Sequence, residues 1–165
     1  MIFDPIEVVI DQLIRTFKPQ EWQYDVEDMA EDIASALKLI GAARIFEVCI
    51  IEVPVYNSML KIPRGVQNIK HIVPRTLRYE ERTGFLLIDV PDGTLVPLVY
   101  QGMALDERGY PVVPDNEPTR QALMWYLVKI MVLQGVKFGA QIGLGYAEQE
   151  WQWRCGSARA DLSIM

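Results

Sequence analysis

The residues able to do chemistry are few and poorly spaced for it. The chain has one histidine, His71, in the run Asn68-Ile69-Lys70-His71-Ile72. A lone imidazole is more often a packed or surface residue than a catalyst. With no second histidine and no cysteine at ligand spacing, neither a zinc site nor a Ser/His or Cys/His nucleophile pair can be assembled in the usual way. Cys49 and Cys155 stand far apart with no CxxC between them, which reads as two free thiols of a protein made in a reducing cytosol. The run Gly139 to Gly145 contains GxG but lacks a preceding strand, a third glycine at the right offset and a Lys-Ser/Thr pair. A turn between helices is the better reading than a phosphate cradle. The carboxylate pairs Asp106-Glu107 and Glu80-Glu81 fall in turns, and no spacing sorts an acid from a base. The expectation is a non-enzymatic chain with no catalytic residue, cofactor or metal.

A second cluster is aromatic and cationic: Trp151, Trp153, Arg154 and Arg159. Such residues stack on nucleic-acid bases, but they are also enriched at protein–protein hot spots. Glu148 and Glu150 lie beside them and the whole chain carries a formal charge of −6. Gripping phosphates requires clustered Lys and Arg on a basic face, so a protein interface is favoured.

These residues must be held by helices. Asp115 to Gly135 is the segment around which the chain is organised. Only Gln121 and Lys129 are polar between Gln121 and Leu133, so the helix is apolar on nearly every face and belongs inside a core or an assembly. It is too short and interrupted to span a bilayer, which takes about 20 apolar residues. Asp115 or Asn116 suits its N-cap, Pro118 its first turn and Gly135 its C′ position. A last helix, about Tyr146 to Ala160, puts Ala147, Trp151, Cys155 and Ala158 on one stripe.

At the other end of the chain, Asp4 to Phe17 has apolar residues at helical spacing, with Asp4 as cap, Pro5 at the first helical position and Glu7 where a capping box wants it. A second helix runs from Asp25 to Ile40, capped by Asp25 and ended by Gly41, with a wet acidic face of Asp25, Glu27, Asp28, Glu31 and Asp32. The short connection predicts an antiparallel hairpin. Between the helices the texture turns to strands. Arg44 to Val53 is apolar on both faces, as in a strand covered on two sides. Asn57-Ser58 is a hairpin turn, and Pro91-Asp92-Gly93 separates Phe85–Val90 from Thr94–Ala104 as a second hairpin signal. The stretch Val66 to Val73 fits either a strand or a turn of helix.

The expected fold class is α+β: a helical hairpin layer, an inserted small antiparallel β-sandwich or barrel module, and two C-terminal helices. The expected divisions are 1–42 for the hairpin, 43–114 for the β module, and 115–165 for helices that pack with 1–42. A length of 165 residues with half of them hydrophobic suffices for a sizeable core and excludes general disorder. No basic n-region or apolar h-region opens the chain, so a cytosolically made protein without a membrane span is expected. The apolar supply, including the end Leu162, Ile164 and Met165, exceeds what a small monomer needs and points to association.

The run from Asp106 through Gly109-Tyr110-Pro111 to Pro114-Asp115-Asn116, then Trp125-Tyr126, then Trp151, Trp153 and Ala158-Arg159, resembles the ring, or head-to-tail adaptor, proteins of short-tailed and crAss-like bacteriophages. Upstream, Ile62-Pro63 before Gly65 and Ile69 to Val73 are similar to their β region. The resemblance covers about the second two-thirds of the chain. Such chains often continue into a Pro-Ser-containing stretch that is not found before Met165, as expected of a truncated, shorter or divergent member. The resemblance implies a virion structural protein, a cyclic homo-oligomer (a dodecamer) at the head–tail junction. There it would stack beneath the portal and bridge it to the tail or further ring proteins, with DNA passing through the lumen unbound. Tyr110, Trp125, Tyr126, Ile130, Trp151, Trp153, Arg154 and Arg159 are the candidate core and interface residues. The alternative is a small soluble enzyme or ligand-binding domain with a pocket lined by Tyr56, His71 and Tyr100.

Overall fold

A computed structural model describes residues 2–164, so the terminal Met165 of the apolar tail lies outside the described residues. The chain falls into two compact units: a helical one, holding the described residues up to Ile45 and from Ala104 onward, and a β unit, Phe46–Met103. The fold is α+β, with four α-helices and a curled, wholly antiparallel six-stranded sheet among the described residues.

The helical unit is built on α3 (Glu117–Leu133), which packs most extensively on α4 (Leu144–Ile164) and also on α1 (Glu7–Phe17) and α2 (Val26–Ile40). Ala122, Leu123, Met124, Trp125, Leu127, Val128 and Met131 of α3 are all buried. The helix is thus enclosed by its own chain. No second copy is needed to cover it, although its composition alone left that open. Asn116 supplies the N-cap, its side chain accepting from the Thr119 N–H at 3.0 Å. Asp115 pairs instead with Arg120 at 2.6 Å.

α2 matches its expected bounds. The Asp25 carboxylate accepts from the Asp28 N–H at 2.9 Å, and Gly41, at φ 68°, lets the chain leave in the left-handed region. At α1 the local rule fails. Its N-cap position is Ile6, which has no side-chain cap, because Asp4 belongs to β1 (Phe3–Asp4), paired with β8 (Val113–Pro114). Glu7 binds Arg108 instead of closing a capping box. Both contacts draw residues 104–114 into the helical unit and away from the β module, where their texture had put them.

The β unit has strand order β4-β7-β2-β3-β6-β5, with β2 Phe46–Tyr56, β3 Met59–Lys61, β4 Val66–Ile72, β5 Tyr79–Arg82, β6 Phe85–Ile88 and β7 Leu95–Met103. Asn57 and Ser58 both take positive φ (53° and 60°), the tight two-residue turn that matches strand twist. The Pro91-Asp92-Gly93 turn forms but does not join a hairpin. β6 pairs with β3 and β5, and β7 with β2 and β4. The reason is that the turn docks on the β2–β3 hairpin: Asp92 accepts from the Asn57 N–H, and the Gly93 N–H donates to Val55 O at 2.7 Å. The chain is thereby carried across to the far side of β2. Val66 to Ile72 is a strand, with two register shifts against β7.

One face of the sheet closes over Val53, Val55, Leu60, Ile72, Leu86 and Leu98, with other apolar residues around them. Gly102 is needed for this closure, because a Cβ there would lie 2.5 Å from both Gly65 O and the Tyr100 ring. The other face of β2 departs from expectation. Val48 and Ile50 are 67% and 70% exposed, so a strand apolar on both sides is covered on only one.

Two substitutions check these cores. Trp125 is 7% exposed, and Trp125→Ala should lower unfolding free energy by about 3–5 kcal/mol in chemical denaturation; a loss under ~1 kcal/mol would mean α3 is not the core. Gly102→Ala should cost about 1–3 kcal/mol through the clash at Gly65 and Tyr100, visible as a lower melting temperature.

Candidate assembly interface

The helical unit brings most of the aromatic candidates into one seam between α3 and α4. Trp125 meets Phe17 edge to face at 5.0 Å and Tyr146 at 5.5 Å, and Tyr126 meets Trp151 at 4.8 Å. Edge-to-face contacts of this kind add stability beyond the area they bury. Trp151 is buried, as is Trp125, while Tyr126 and Ile130 are half-buried at the margin. Lys129 lies over the Tyr126 ring at 5.0 Å and reaches Glu148 at 3.0 Å. That contact, followed by the Gln152 amide, holds the Glu148 carboxyl below its ordinary value, whereas burial pushes the Tyr126 phenol up. These groups are occupied with one another. They form core, and nothing in their arrangement prepares a proton transfer.

Two candidates lie outside the seam in different ways. Tyr110 sits in a turn where its N–H donates to Asp106 at 3.0 Å and Arg108 covers its ring at 4.6 Å. Arg108 also bonds to Glu7 and holds that carboxyl below its ordinary value, so the turn is tied to α1. Arg159 works at a helix end: its Nε donates to Ile40 O at 2.6 Å and a terminal nitrogen to Leu39 O at 2.9 Å. A cation on the last carbonyls of α2 satisfies orphan acceptors and complements the helix dipole.

Trp153 is the exception. It is 62% exposed, with Arg154 over its ring at 4.5 Å and bonded to Glu150 at 3.4 Å. Gly156 and Ala160, three and seven residues on, are also exposed, so one ridge of α4 presents a large aromatic ring above small residues. This is an unfilled apolar surface of the helical unit.

The β unit offers two further features that sequence patterning missed. Cross-strand partners share a face, so Val48 and Ile50 stand outward with exposed Glu52, half-buried Gln101 and His71, and buried Val99 on the same side. Tyr100, the next residue along β7, points into the core. His71 and Tyr100 therefore lie on opposite faces and line no common pocket. The second feature is charge. From Val53 to Tyr79 there are five cations, Lys61, Arg64, Lys70, Arg75 and Arg78, and no carboxylate. Lys61, Lys70, Arg75 and Arg78 have no ion pair among the described residues. Only a count by segment would have found this, since the unit is charge-balanced as a whole.

Among the described residues there is no cluster of His, Cys, Asp and Glu able to hold a metal, and no helix long and apolar enough to cross a membrane. Both cysteines are free thiols. The Arg159 contact yields a direct check: Arg159→Ala should lower stability by about 1–2 kcal/mol, and Arg159→Lys should recover only part of it because one ammonium cannot span two carbonyls as the fork does. Equilibrium denaturation measures both.

A family model described as phage tail ring protein 1 matches residues 66–165, from the start of β4 to the end of the chain. The match takes in the Tyr110 turn, the α3–α4 seam, the Trp153 ridge and, of the five cations between Val53 and Tyr79, Lys70, Arg75 and Arg78. Comparison with curated proteins returned no match. With more than half of its length covered, the chain belongs to the crAss-like phage tail ring protein 1 family and is a structural ring component of a bacteriophage.

Proposed function

We propose that the chain is a subunit of a closed ring, a dodecamer, that sits beneath the portal at the head–tail junction and bridges it to the tail or to further ring proteins around a DNA channel. The observation that carries this reading is the presence of two unlike apolar surfaces on one chain: the Val48–Ile50 patch of the β unit and the Trp153 ridge of the helical unit. A ring is closed by heterologous contacts, in which each copy offers two different patches to its two neighbours. One self-complementary patch would stop at a dimer.

Within this reading Tyr110, Trp125, Tyr126, Ile130, Trp151 and Arg159 hold the subunit rigid, and Trp153 with Arg154 makes contact. Aromatic and arginine side chains are the usual anchors of such contacts. The acidic surplus of −6 suits a lumen that passes DNA by like-charge repulsion and binds none of it. Neither membrane nor cofactor has a part in it.

Trp153→Ala tests the division of labour. It should change fold stability by no more than about 0.5 kcal/mol, as for an ordinary surface site, yet weaken assembly when oligomer mass is measured with and without the portal. The wild-type chain should give one ring species under the same conditions. Monomers that persist in the presence of the portal would contradict the reading.

A further inference from the structure

The solvent side of α4 is unlike that of the other helices. Tyr146, Gln149, Trp153, Gly156, Ala160 and Ile164 recur at steps of three and four, and all six are exposed. They lie opposite the stripe, from Ala147 to Leu162, that faces the core. None of them carries a charge. By contrast α1 shows Asp11 and Arg15 to solvent, and α2 shows Asp28 and Glu31, as wet helix faces do.

The outward side of the sheet around β2 is its counterpart. Alternation puts Val48, Ile50, Glu52 and Tyr56 on that side, and pairing adds Met59 opposite Tyr56 and Leu95 opposite Pro54. All of these are exposed. Two charges stand among them: Glu52, and Lys61 on the same side of β3 as Met59. Neither has a hydrogen bond or ion pair among the described residues. Farther out, Glu80 and Arg82 of β5 answer each other at 2.6 Å. We infer that the uncharged side of α4 in one copy lies on this side of the sheet in the next copy round the ring. The inference rests on the ring reading above and adds which of its two surfaces meets which.

Charge selects this occupant. Glu150 and Arg154 border the Trp153 ring, and Arg154 donates to Glu150 through Nε alone. Both terminal nitrogens of its five-donor fork are left without a hydrogen bond among the described residues. Laid face to face, that fork answers Glu52, and the second Glu150 oxygen answers Lys61. Every charge brought into the contact then meets an opposite one, which is what keeps its burial from being costly. The dimensions agree: Tyr146 to Ile164 spans roughly 27 Å along a helix, and Val48 to Tyr56 roughly 27 Å along a strand. Either face paired with its own kind would make an isologous contact that ends at two chains and leaves the ring open. Nucleic acid would answer Lys61 alone and leave Val48, Ile50 and Trp153 in water.

The test is charge exchange in the full-length chain, read as ring mass against protein concentration. Glu52→Lys sets an ammonium against Arg154 of the next copy, and Arg154→Glu sets a carboxylate against Glu52. Each should raise the concentration for half-assembly about tenfold, the scale expected when like charges meet at an interface. The combined chain, E52K with R154E, restores opposite signs in every contact and should assemble within about threefold of wild type. An equal mixture of the two single variants should recover likewise, by alternating round the ring, because the contact runs between chains. Loss confined to one variant, or no loss in either, would overturn the inference. So would loss that the swap and the mixture do not both reverse. The two faces would then have other occupants, such as a second α4, a second sheet face or another virion protein. Absence of rings from the wild-type chain, alone and with the portal, would instead remove the ring reading on which the inference stands.

Discussion

The need of α3 to lose its water on all sides governs the rest of the structure. A helix with one apolar stripe is content against one neighbour; this one requires several. α1, α2 and α4 supply them, drawn from opposite ends of the chain, and the β unit is carried between those ends. Because the wrapping is done by the chain's own helices, the subunit is complete before it meets a second copy. The apolar surfaces that α3 does not use stay exposed: Val48 and Ile50 on β2, and the Trp153 ridge.

This division separates stability from assembly at the level of single residues. Trp151 and Trp153 are two positions apart on one helix, and a rotation of about 200° between them sends one into the Tyr126 contact and the other into solvent. Arg154 and Arg159 divide in the same way. Arg154 lies beside the exposed ring, and Arg159 closes the end of α2. A tryptophan- and arginine-rich helix is therefore two things at once, part of a core and part of a surface. Composition alone cannot assign the members.

Much of the helical unit was legible in the sequence because its signals are local. Asp25 and Gly41 mark α2 by chemistry that acts within one turn, and the apolar run of α3 states its own burial. The failures occur where a distant partner outbids a local rule. Asp4 would cap α1 but is held in a strand with Val113. The Pro91-Asp92-Gly93 turn has hairpin chemistry, yet its hydrogen bonds to Asn57 and Val55 commit it to a different hairpin. β5 carries no apolar alternation to mark it, since Glu80, Glu81 and Arg82 are charged and all four residues are exposed, as befits an edge strand. The expectation that β2 is covered on two sides fails because Val48 and Ile50 are exposed: apolar alternation marks which faces are apolar, not what lies over them.

The central claim is that the subunit is folded around α3 by itself; the proposed ring then forms through other surfaces. Oxidative labelling of side chains, compared between the isolated chain and the assembled ring, tests it most directly. Trp125, Leu127 and Trp151 should be protected to the same degree in both states, while Val48, Ile50 and Trp153 should lose reactivity on assembly. Strong labelling of Trp125 and Leu127 in the isolated chain that disappears only in the ring would contradict the account, because α3 would then be finding its cover in another copy.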